Sequence, residues 1–101
     1  MANFINLEQA VKLTHAFQDS EIGKEQTYSG MVEKDILLEM LKQDNCEGIR
    51  IYNALNENGK ITFVLVGYDK EDNDIIDGKI ADEMNLCPPN CPKKKTPLIN
   101  Y

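Results

Sequence analysis

The chain has 101 residues, 42% hydrophobic and 28% charged, with 17 acids against 11 bases and a formal net charge of −6. That length suits one domain with a single modest core, and the acidic balance argues against a nucleic-acid partner, which would select a clustered basic patch. No apolar run approaches the ~20 residues a membrane helix needs, and the stretch Met1–Glu8 lacks a basic segment followed by a continuous apolar one. A cytoplasmic protein with no membrane and no nucleic-acid partner is therefore expected.

Residues 7–19 read as an amphipathic helix. Leu7, Ala10, Val11, Thr14 and Phe17 recur at helical spacing, and Leu13 widens the stripe. Asn6 stands where an N-cap belongs, with Gln9 three residues on as its capping-box partner. Residues 20–30 are polar and carry Gly23 and Gly30, which predicts a loop ending in a short extended piece near Tyr28–Val32. A second helix is expected over 33–43. Its apolar face is Ile36, Leu37, Met40 and Leu41, with acids in the first turn and Lys42 in the last, as the helix dipole favours.

The strongest local pattern is a β-hairpin. Ile49–Leu55 alternates and is rich in strand formers, Asn56-Glu57-Asn58-Gly59 is a turn, and Lys60–Tyr68 is a second strand apolar on both faces. A lone hairpin is marginal in water, so a third strand or pairing with another chain is needed, and Tyr28–Val32 is the segment that could supply the strand. Residues 69–78 form an acidic connection, and 79–86 are expected to hold a short helical turn. The fold class predicted is α+β, with two helices packed on a small antiparallel sheet centred on the 49–68 hairpin. Its domain spans 1–86, and 87–101 form an irregular Pro/Cys/Lys tail, because prolines fix φ and remove donors.

The run from Cys46 through Gly48-Ile49-Arg50-Ile51-Tyr52, Asn58-Gly59-Lys60, Phe63-Val64-Leu65-Val66-Gly67 and Asn73-Asp74 to Cys87-Pro88-Pro89-Asn90-Cys91 resembles a group of small uncharacterised proteins of Bacteroidota. The resemblance covers about residues 30–91. It implies a shared fold unit and carries no activity or catalytic residues with it.

Three readings compete for the cysteines. Cys46, Cys87, Cys91 and His15 make up a Cys3His set of the size that structural zinc takes. A Cys87–Cys91 disulfide would close a small proline-stiffened loop. The bland reading, preferred on sequence, is three ordinary thiols, with Cys46 a small buried hydrophobe and His15 a structural histidine at the edge of the helix stripe. Asp69, Glu71, Asn73 and Asp74 offer oxygens for calcium. However, a calcium loop counted from Asp69 puts Asp74 where glycine is needed and Ile80 where an acid is needed, so a solvated acidic loop is the better reading.

Arg50 and Tyr52 share one strand face. They are candidates for an interaction surface, with pairing of Arg50 to neighbouring acids as the plainer alternative. The sequence has no phosphate-cradling glycine loop, no nucleophile elbow and no metalloprotease motif. The function expected is a non-enzymatic interaction module with no cofactor, engaging a protein partner or a second copy of itself. The alternative is a metal- or redox-responsive protein built on the C-terminal cysteines.

Overall fold

The computed structural model describes residues 2–101. It holds α1 (Leu7–Asp19), β1 (Ser29–Met31), α2 (Lys34–Leu41), β2 (Gly48–Leu55), β3 (Ile61–Tyr68), β4 (Ile80–Ala81) and β5 (Asn85–Cys87). Two helices with two small antiparallel sheets make this an α+β fold. One sheet is the two-stranded β1-β5; the other has the order β2-β3-β4.

The chain forms two compact units. Among the described residues, one comprises 2–29 together with 86–101; the other is the continuous segment 30–85. The sequence divides more simply, into 1–86 and a tail. Residues 88–101 do lack helix and strand, as their prolines dictate. They are nonetheless fastened to α1 by hydrogen bonds, which residue-by-residue propensity does not reveal.

In the first unit, α1 begins at a complete capping box. Asn6 Oδ1 accepts from the Gln9 amide at 2.8 Å, and Gln9 Oε1 accepts from the Asn6 amide at 3.0 Å. Two of the amides that a helix start leaves unpaired are thereby satisfied. Farther along the helix, Gln18 Nε2 donates to the Leu98 carbonyl, and Gln18 Oε1 accepts from the Asn100 amide. Asn100 Nδ2 donates to Asp19. Cys87 and Cys91 are joined in a disulfide.

In the second unit, the hairpin is the framework. β2 and β3 pair antiparallel over their full lengths, from Gly48 opposite Tyr68 to Leu55 opposite Ile61. Asn56 organises the turn, its side chain accepting from the amides of Asn58 and Lys60, while Gly59 adopts the left-handed φ of +74°. β4 adds to the other side of β3, Ala81 opposite Leu65 and Ile80 opposite Val66.

Two expectations are corrected here. The third strand is β4, not the Tyr28–Val32 segment, whose β1 pairs with β5 instead. The region expected as a helical turn is extended, with β4 and β5 on either side of Asp82–Met84. Residues 79–86 are too few for a stable helix, and free strand edges at β3 and β1 gave them partners.

Leu65, Val66 and Gly67 are consecutive and buried, so β3 is covered on both faces at this level. Met40 of α2, which packs against β2 and β3, is 1% exposed. Gln43 ties the helix exit to the segment before β4: its Nε2 donates to the Met40 carbonyl and its Oε1 accepts from the Lys79 amide.

Candidate interaction edge

The register assigns every β2 side chain to a face. Gly48, Arg50, Tyr52 and Ala54 share one face with Tyr68, Val66, Val64 and Thr62; Ile49, Ile51, Asn53 and Leu55 share the other with Gly67, Leu65, Phe63 and Ile61.

On the first face, Asp74 gathers both residues singled out from the sequence. Arg50 Nη1 donates to Asp74 Oδ1 at 2.5 Å and to the Asp72 carbonyl at 3.2 Å, and the Tyr52 hydroxyl donates to Asp74 Oδ2 at 2.5 Å. The guanidinium lies 5.6 Å from the centre of the Tyr68 ring, and that ring covers Gly48, where a Cβ would collide with it. Bonds from Tyr52 and then Arg50 hold the Asp74 carboxyl below its ordinary value, while the carboxylate raises both the Tyr52 hydroxyl and the Arg50 guanidinium. Arg50 thus pairs with a neighbouring acid, the plainer of its two readings.

The acidic loop is consumed by its own fold. Asp69 Oδ1 accepts from the amides of Glu71 and Asn73, and both Asp74 oxygens are taken. Sequence reasoning missed Asp74 as the partner of Arg50 and Tyr52, since residues 22 and 24 positions apart carry no periodic signal.

The edge of β2 is the feature with unused binding capacity. The bond from the Asn56 amide to the Lys60 carbonyl sets the phase of the ladder: even-numbered β2 residues point their backbone groups at β3. Ile49, Ile51, Asn53 and Leu55 therefore turn their amides and carbonyls outward, and no described residue pairs with them. Burial falls steeply across the ladder, from 4% exposure at Leu65 to 64% at its partner Ile51; Leu55 is 70% exposed. The edge is eight residues long and lacks the devices that blunt natural edges: it has no proline, no lysine and no bulge in its register. Its one charge, Arg50, is already paired with Asp74.

The remaining candidates lie elsewhere. Cys87 and Cys91 form the disulfide, so the ordinary-thiol reading is corrected for these two; a spacing of four allows the bond, and the prolines between them keep the segment from forming a helix. Their sulfurs are spent on each other rather than available as thiolates. Cys46 remains a thiol, donating to the Gly48 carbonyl at 3.3 Å. His15 Nε2 contacts the Pro97 carbonyl at 3.0 Å, at one wall of an open groove of about 640 Å3 that Leu7, Glu8, Val11 and Lys12 also line. Among the described residues, no group of three or more His, Cys, Asp or Glu is placed to hold a metal ion, and no helix is long and apolar enough to cross a membrane. No family model, no curated protein and no solved structure matches this chain.

Proposed function

We propose that this chain is a non-enzymatic interaction module that binds an extended segment of a protein by adding it as a strand to the free edge of β2. The observation that carries the reading is the row of outward amides and carbonyls on Ile49, Ile51, Asn53 and Leu55, set beside exposed Ile51 and Leu55 side chains. Backbone bonds supply affinity in such a mode, and alternate side chains supply specificity.

Selection from a displayed library of random extended peptides tests this. Peptides recovered on the wild type lose binding to Asn53→Pro, which deletes one outward amide. An edge strand tolerates proline where the N–H faces solvent, and circular dichroism confirms the fold. Peptides that bind the variant as well as the wild type would place recognition elsewhere.

A second reading is favoured by the Cys87–Cys91 disulfide itself: a redox-responsive C-terminal segment, with Cys87 1% exposed and Cys91 half-buried. Titration with a dithiol reductant discriminates the two. Peptide binding unchanged on reduction separates the edge from the disulfide; binding that follows the redox state favours the second reading.

A further inference from the structure

We infer that the occupant of the β2 edge is the β2 strand of a second copy, paired antiparallel about a two-fold axis through Ile51; this rests on the strand-addition reading above. The strand is complementary to itself. Outward residues must face outward residues in the new ladder, so the register is confined to pairings of odd-numbered positions. Centring on Ile51 sets Ile51 against its own copy and Ile49 against Asn53, and joins two three-stranded sheets into one of six strands. Three pairs of residues then exchange both bonds, giving six new backbone hydrogen bonds by count of the outward groups.

The same register matches side chains on both faces. Gly48 falls opposite Ala54, small against small. Arg50 falls opposite the copy's Tyr52, an exposed residue whose hydroxyl already holds Asp74. Each guanidinium thus meets an aromatic face backed by a carboxylate, and the two Arg50–Asp74 pairs alternate in sign around the axis. On the opposite face, two Ile51 side chains cover one another. Charge also selects this register over its neighbour. Moving the axis to Arg50 would set the two Arg50 side chains directly opposite one another, like charge against like.

Sedimentation of the full chain over a range of protein concentrations tests the inference. The expected result is a rise in mean mass from one chain to two, lost in Ile51→Lys, which sets like charges against each other at the axis. Ile51 is exposed, so that variant is expected to fold, and Asn53→Pro provides a second variant that blocks the edge. Register is read by oxidative cross-linking in a Cys46→Ser background. Ile51→Cys forms a covalent dimer, because residues in a bonded antiparallel pair lie about 5.5 Å apart between Cα atoms, within disulfide reach; Asn53→Cys does not. A wild type that stays monomeric at the highest concentration, or a dimer that survives both edge variants, overturns the self-pairing. If the monomeric wild type still binds selected peptides through Asn53, the strand-addition reading stands without the dimer. If it binds none, both fall.

Discussion

Asp74 closes on Arg50 across 24 positions of sequence, Oδ1 to Nη1, and its second oxygen takes the Tyr52 hydroxyl. One carboxylate thereby pins the acidic connection to the outer strand of the sheet. Asp74→Ala is expected to release residues 69–78 while the hairpin persists. Amide exchange checks this: the Asp69 amide, bonded to the Asn73 carbonyl, and the Ile75 amide, bonded to Gly67, lose protection. The Val64 and Val66 amides, inside the β2–β3 ladder, keep theirs.

The same cluster sets a pH dependence. Asp74 has a folded-state value below its ordinary one of 3.8, so its contribution is present above that value and is lost as pH falls through the lowered one. Tyr52 has a folded-state value above 10.0, so its contribution is present below 10.0 and fades as pH rises through the raised value. Chemical denaturation at a series of pH values is expected to show a broad plateau with losses at both ends. Asp74→Asn removes the acid-side dependence due to this residue. Tyr52→Phe removes the alkaline-side dependence due to Tyr52.

Removing the Cys87–Cys91 bond is expected to lower stability by about 2 kcal/mol, the chain-entropy value for so short a loop. Thermal melts of the wild type with and without reductant, and of Cys87→Ser with Cys91→Ser, check it. Reduction shifts the wild type and leaves the double variant unmoved. Intact mass without reductant, lower by two hydrogens than with it, verifies the bond independently.

How much of this was legible in the sequence depends on range. Asn6 and Gln9 declare the start of α1 because a capping box is local, and Gly59 marks the turn because it supplies a left-handed φ within four residues. The partnership of Arg50 and Tyr52 with Asp74 is not local, and neither is the pairing of β1 with β5; tertiary proximity alone creates both. Residues 79–86 misled because a short segment takes whichever backbone partners its neighbours expose. The alternation puts Ile51 on the face opposite Arg50 and Tyr52 but not at the edge where it stands, since periodicity assigns a face and strand order decides exposure.

Gly67 illustrates a packing constraint that a sequence pattern cannot express. It is the last of the three consecutive buried residues near the end of β3, and a Cβ there would stand 3.0 Å from Cys46 Sγ, 3.3 Å from Gln43 Nε2 and 3.4 Å from Ile75 Cδ1. The glycine therefore lets the exit of α2 and the segment after β3 approach the sheet together. Gly67→Ala is expected to destabilise the second unit by about 1–3 kcal/mol, the usual range for overpacking a well-filled interior. The tightest of the three contacts is with the Cys46 sulfur, so removing that sulfur makes room. In a Cys46→Ala background, Gly67→Ala should cost less than it does in the wild type, a non-additivity that a double-mutant cycle by chemical denaturation measures directly. Equal costs in the two backgrounds would mean that Gln43 and Ile75, not Cys46, set the limit at this position, and Gln43→Ala would then be the variant that relieves it.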